Sequence, residues 1–416
     1  MASAAVSETR TERTRASALG RALGPAAEWA ATDRARLLKL AVAGACACGF
    51  VLSRRLWLSS ARDYPHAPVA EVLTPPAFPL DFVWLGALFV LLALAAVSAR
   101  PRKYLAAFLV AAGLLALWDQ SRWQPWFYQY YFMLAALALF PWRDEGGRVD
   151  ERRRAALDAC RLVVAGTYFW GGAQKLNPGF EGTMLLLLER LLPQAWAAAL
   201  AAASALVVPA VEILVGVALL TRRFRNAAVA LALSTHAVVL LLLVPSGTNT
   251  VVWPWNVAMA ASAVILFWRA RDFPARRVLV DLRRPFNLAV AVLFCVMPAL
   301  SFAGLWDSYL SSALYSGGTG EAVIRFGETV HAGLPARARR AAARAGDGYV
   351  LSVRRWSFAE LNVPAYPEER VFRRVARGLC EQTTAPGGVT LEIHERPRFF
   401  GGAGRTKTLD CASLVR

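Results

Sequence analysis

The chain has 416 residues, 56% of them apolar, and a formal net charge of +18. Disordered chains are far less apolar, and soluble enzymes do not gather their apolar residues into runs able to cross a bilayer core of about 30 Å. The basic residues lie between those runs, a placement that argues against a nucleic-acid partner.

Residues 1–37 are polar, arginine-bearing and rich in Ala and Ser, and no cleavable signal pattern accompanies them. Nine apolar runs follow, at about 38–56, 80–98, 104–118, 126–142, 157–174, 196–220, 226–245, 250–268 and 286–304. Lys and Arg concentrate in the N-terminal segment and the even-numbered connections, which places those on the cytoplasmic side. Tryptophans such as Trp57, Trp84, Trp142, Trp196 and Trp268 fall near predicted helix ends, as interfacial belts require. The reading is mainly α: a polytopic membrane helical bundle of about nine spans over 38–304, then a small external α+β domain over 305–416. Arginine and alanine bias suggests a bacterial plasma membrane.

The C-terminal region reads as strands in "SYLSSALYSG", "EAVIRF", "GYVLSVRRW" and "VTLEIHER", and as helices in "PARARRAAARAG" and "YPEERVFRRVARGLC". Arg337, Arg339, Arg340, Arg373, Arg374 and Arg377 form one basic face, either a solvated surface or a contact for anionic headgroups. Cys46, Cys48, Cys160 and Cys295 fit small apolar roles in membrane helices, while Cys380 and Cys411 suit a disulfide in an oxidising compartment. No metal site is expected.

Ionisable groups inside spans mark functional sites by default. Glu212 lies midway along the sixth run and His236 in the middle of the seventh. The two runs are antiparallel neighbours, so the pair reads either as a structural polar lock or as a proton-handling couple. Arg161 is expected to snorkel towards the cytoplasmic interface.

In "YFWGGAQKLNPGF", Tyr168, Gly171, Gly172 and Lys175 fall at i, i+3, i+4 and i+7, on one helical face. The glycines let a helix or a flat ligand approach closely. Only four of the 47 basic residues are lysines. An amine, unlike a guanidinium, can act as a base, so Lys175 reads as a base or as a snorkelling anchor. "WDQSRWQPWFYQYYF" adds Asp119, Gln120, Trp126, Tyr128, Gln129 and Tyr130, and "SGTNTVVWPWNVAM" adds Asn249, Trp253, Trp255 and Asn256. These stretches supply either an aromatic pocket with a few polar groups, suited to a membrane-soluble ring compound, or an ordinary aromatic belt.

"YFWGGAQKLNPGF" resembles the Tyr-Phe-x-x-Gly-x-x-Lys-Leu motif of the HTTM family, the membrane domain of vitamin K-dependent gamma-carboxylases. The helix histidine in "THAVVLLLL" is similar to that family's Phe-His helix, with Thr235 in place of the aromatic. The resemblance implies a reduced quinone as cofactor, Lys175 as its base, and His236 and Glu212 in support. Tyr168, Gly171, Gly172, Trp126, Tyr128, Trp255 and Asn256 are then the candidate cofactor-binding residues. Two features depart from the family: Trp126 stands where a histidine of a Trp-x-x-His-x-Tyr stretch belongs, and the external domain is short and α+β rather than large and β-rich. Glutamate carboxylation is therefore not expected. The Gly-x-x-Lys-Leu element also resembles DoxX-like membrane proteins linked to quinone-coupled redox chemistry. A non-catalytic membrane scaffold, whose external domain engages a protein partner, is the alternative class; in every case the lipid bilayer is a partner.

Overall fold

The computed structural model describes residues 30–143, 149–245, 247, 249–270, 281–382, 388–396 and 404–415. Most of the N-terminal segment read as cytoplasmic, residues 1–29, therefore lies outside the described residues.

Each of the nine apolar runs is helical. They correspond to α1 (Ala31–Leu52), α2 (Leu80–Val97), α3 (Arg102–Trp118), α4 (Pro125–Leu139), α5 (Val149–Ala173), α7 (Gln194–Leu220), α8 (Arg225–Leu243), α9 (Val252–Phe267) and α10 (Pro285–Ala303). Local chemistry sets several starts and stops. Pro125 and Pro285 occupy first-turn positions, where the missing N–H costs nothing. Asp119 accepts from the Ser121 amide at 3.0 Å and turns the chain between α3 and α4. Five helices, α1, α2, α7, α8 and α10, are long and apolar enough to cross a membrane. One further helix, α6 (Gly179–Leu188), occupies what the sequence presents as a connection; its ten residues are too few to register as a span.

At one end of the bundle, three arginines converge on the carbonyls that close α9. Arg34 donates to Ile265 O and, at 3.1 Å, to Trp268 O; Arg161 donates to Leu266 O at 3.0 Å; Arg225 donates to Ala270 O. Cations are favourable at a helix C-terminus, where carbonyls lack intrahelical partners. Arg161 is thus buried and paired with Asp158, not snorkelling as expected. α1 also begins earlier than its apolar run, at Ala31, and so includes Arg34.

The C-terminal domain packs on the opposite end. Its antiparallel sheet has the order β2-β3-β1-β4-β5, with β1 Glu321–Phe326, β2 Ala342–Ala345, β3 Gly348–Ser352, β4 Thr390–His394 and β5 Thr406–Asp410. Ala322, Ile324, Phe326, Leu351, Leu391 and Ile393 form its buried face, beside α11 (Val353–Leu361) and α12 (Glu369–Gln382). Cys380 and Cys411 are disulfide-bonded.

Three elements differ from expectation. "SYLSSALYSG" is a short turn rather than a strand, because Ser312 and Tyr315 take positive φ. "PARARRAAARAG" is helical only to Ala341. Its second half becomes β2, since pairing with β3 across Gly346 and Asp347 outweighs the helix propensity of Ala and Arg. "GYVLSVRRW" changes from strand to helix at Ser352, whose hydroxyl accepts from the Arg355 amide.

The basic face also divides. Arg373 pairs with Glu369, Arg374 with Glu71, and Arg377 with Glu71 and Glu381. Arg337, Arg339 and Arg340 sit on a separate short helix, Ala336–Ala341, so the six arginines are shared between two helices.

A polar seam joins domain to bundle. Arg370 bridges Gln120 and Asp307, Glu360 accepts from the Asp63 amide at 2.7 Å, and Gln124 Nε2 donates to Pro364 O at 3.1 Å.

Candidate functional site

A cavity of about 630 Å³ lies among α5, α6, α7, α8 and α9, closed at the domain end by Ser312, Leu314 and Tyr315. Most of its wall is aliphatic. Its lining residues Leu200, Val207 and Val238 are also 45%, 56% and 54% exposed, so the cavity reaches the apolar outer surface between α7 and α8.

Two polar clusters interrupt this wall. In the first, Lys175 Nζ donates to Glu212 Oε2 at 2.6 Å and to Gly171 O at 3.0 Å. Both partners are acceptors, which makes the amine a hydrogen-bond donor here. Neither side chain is an anchor at the surface: they are 12% and 14% exposed.

In the second cluster, Tyr168 Oη lies 2.5 Å from His236 Nε2, and His236 Nδ1 lies 2.8 Å from Asn256 Oδ1. Asn256 Nδ2 donates to Val252 O at 2.7 Å, which turns its Oδ1 towards the histidine. Nδ1 is then the protonated nitrogen, and Nε2 accepts from the tyrosine hydroxyl. The expected Glu212–His236 couple is not formed. Lys175 takes the carboxylate from one side, while α9 supplies His236 with an amide.

The helical face read from the sequence is divided between two tasks. Tyr168, Gly171 and Lys175 line the cavity. Gly172 instead serves helix packing, since a Cβ there would lie 2.6 Å from Pro209 O and 2.9 Å from Ile213 N of α7. Only glycine permits that approach, and it brings Glu212 within reach of Lys175.

Trp255 and Asn256 line the cavity as expected. Trp255 Nε1 donates at 2.7 Å to Gln129 Oε1, a residue behind the wall. Trp126 and Tyr128 do not line it, and their assignment as cofactor-binding residues is corrected. Trp126 is buried among Phe50, Trp57, Phe127 and Tyr130; Tyr128 stacks on Phe294, with centroids 4.7 Å apart. Both sit in one aromatic stretch near a helix start, where spacing alone does not separate a packing ring from a ligand-facing one. Asp119 and Gln120 belong to the polar seam with Arg62 and Arg370.

The sequence did not point to α6 or to Tyr315 as parts of the site. Asn177 carries the one local signal. It donates to Gln174 O and Ser316 O, both at 2.8 Å, and accepts from the Gly179 amide at 2.9 Å. One side chain thereby fixes the end of α5, the start of α6 and the segment leading from Tyr315. Gly317, at φ +70°, completes this junction against Gly179. Asn249 Nδ2 donates to Tyr315 Oη at 2.7 Å, and burial pushes that phenol up to about 12.

Comparison with protein-family models, with curated proteins and with solved structures finds no match. Among the described residues, no group of three His, Cys, Asp or Glu side chains could hold a metal ion.

Proposed function

We propose that this chain is a multi-pass membrane protein that binds a quinone-type or similar lipid-soluble ring compound in the cavity between α5 and α9. The observation that carries the reading is the convergence of Lys175, Glu212, Tyr168 and His236, from three helices, on one otherwise apolar cavity. Its volume is in the range of small-molecule pockets, and such sites combine apolar walls with a few placed polar groups.

The polar clusters supply what a ring bearing carbonyl or hydroxyl oxygens needs. The Lys175 amine, already oriented by Glu212 and Gly171 O, offers a donor to a ligand oxygen. Trp255 and Phe180 provide flat apolar contact, and the opening between α7 and α8 leaves room for a tail. The cavity and the short "YFWGGAQKLNPGF" motif are mutually consistent, which supports an HTTM-like, gamma-carboxylase-like membrane domain without requiring carboxylation. Distribution of Lys and Arg supports nine crossings, a cytoplasmic N-terminus and an external C-terminal domain.

Equilibrium binding of reduced menaquinone to detergent-solubilised protein tests this directly. The wild type should bind, and Lys175→Ala should bind at least about tenfold more weakly, the worth of one charge-assisted hydrogen bond. If neither protein binds while both remain folded, the cofactor reading is wrong.

A further inference from the structure

We infer that the proton acceptor of this cavity is the Tyr168–His236–Asn256 relay rather than Lys175, and that the molecule bound there carries an acidic ring hydroxyl. The inference rests on the binding reading above and adds the direction in which a proton moves.

Three observations carry it. First, the three side chains come from α5, α8 and α9 and form one continuous hydrogen-bonded line, Tyr168 Oη to His236 Nε2 to His236 Nδ1 to Asn256 Oδ1. Second, its polarity is fixed from the far end, because Asn256 Nδ2 is committed to Val252 O and its Oδ1 must accept. Nε2 is left as the basic nitrogen, facing a hydroxyl on the cavity wall. A base oriented by a third group against a hydroxyl is the arrangement that activates weak acids in general acid–base chemistry. Third, Lys175 is occupied as a donor to Glu212 and Gly171 O, an arrangement that suits stabilising an oxyanion once formed.

The step conserves protons and electrons. The ligand O–H bond breaks and its proton passes to Tyr168 Oη, while the tyrosine's own proton moves to His236 Nε2. The products are a ligand oxyanion beside Lys175 and an imidazolium held by Asn256 Oδ1. No oxidant or reductant enters. The titratable groups lining the cavity are Tyr168, Lys175, Glu212, His236 and Tyr315; α6 and α9 contribute none. Glu212, the only carboxylate among them, is paired with Lys175.

The test uses 4-nitro-1-naphthol, a redox-inert ring hydroxyl whose anion absorbs at longer wavelength than its neutral form. Equilibrium dialysis reads binding to full-length detergent-solubilised protein, and absorbance of the bound fraction against pH reads ionisation. Wild type should bind the anion below the pH at which free probe ionises. In Tyr168→Phe and His236→Gln the bound midpoint should rise by about one unit or more, a tenfold change in the bound equilibrium. Lys175→Met should weaken binding of the anion most.

An unmoved midpoint in both relay variants overturns this inference alone. So does a midpoint that moves only in Lys175→Met. Absence of binding by folded wild type overturns the binding reading and this inference with it.

Discussion

Arg396, just beyond β4, donates to Gln174 Oε1 at 2.5 Å, so a guanidinium of the C-terminal domain grips the residue next to Lys175. Gln174 Nε2 passes the contact on to Ser301 Oγ at 2.8 Å, and the Arg396 guanidinium lies over the Phe302 ring, 5.4 Å from its centroid. Arg396→Ala should lower stability by about 2 kcal/mol, the range for a hydrogen bond to a charged group. It should also weaken ligand binding, although Arg396 does not line the cavity. Thermal unfolding and equilibrium binding on the same preparation check both parts.

Breaking the Lys175–Glu212 pair from one side leaves a charge without its partner in a mostly apolar wall. Glu212→Gln should destabilise by roughly 3 kcal/mol, whereas the double change Lys175→Met with Glu212→Leu should recover most of that loss. Denaturation midpoints of the two variants in one detergent decide it. A double variant no more stable than Glu212→Gln would show that the cost lies in losing the pair itself and not in the stranded amine.

How much of this was legible beforehand follows from which forces act locally. The helices were, because a long apolar run needs only its own composition to declare itself. Lys175, Glu212 and His236 stood out because charge in such a run is costly wherever it points. Their partners did not. Glu212 goes to Lys175 because Gly172 admits α7 closely, and His236 goes to Tyr168 because Asn256 fixes its ring, and neither fact has a one-dimensional signature. Trp126 and Tyr128 failed for the same reason: ring position around a helix depends on neighbours. β2 was hidden because pairing with β3, not its own propensity, makes it a strand.

Acid should loosen the seam between domain and bundle. His66 lines a cleft with Arg374 and Gly378 of the C-terminal domain, and burial, reinforced by Arg62, pushes the histidine down to about 3. The unfolded chain therefore takes up a proton near pH 6.5 that the native state refuses. This stability is complete above that value and declines as pH falls towards 3, by at most about 1.4 kcal/mol per unit. Asp119 adds to the loss only at lower pH. Burial by itself would raise its carboxyl, but Arg62 and Arg122 outweigh that and hold it well below the carboxylate range. Unfolding midpoints between pH 7 and 5 should slope in wild type and be flatter in His66→Phe.

The bond between Cys380 and Cys411 closes a sequence separation of 31 residues and ties α12 to the end of β5. Chain entropy assigns such a loop about 3–4 kcal/mol. Reduction, or Cys380→Ala with Cys411→Ala, should cost the C-terminal domain about that much. Protease susceptibility around α12, with and without reductant, is the readout.

Gly49 of α1 tests the aromatic cluster separately. A Cβ there would stand 2.7 Å from the Trp126 ring, which is fully enclosed. Gly49→Ala should destabilise by about 1–3 kcal/mol through overpacking, with ligand affinity of the folded fraction unchanged. A large loss of affinity at equal stability would return Trp126 to the binding site.

The gap between α7 and α8 faces sideways. The lipid-soluble ligand proposed above would then need never dissolve in water: its tail would stay among acyl chains while its ring swung inwards, and the cost of leaving the lipid would be confined to the head. Occupancy then follows the mole fraction of ligand in the surrounding lipid, not its aqueous concentration. For the proposed ligand, detergent chains would then be competitors for the same doorway.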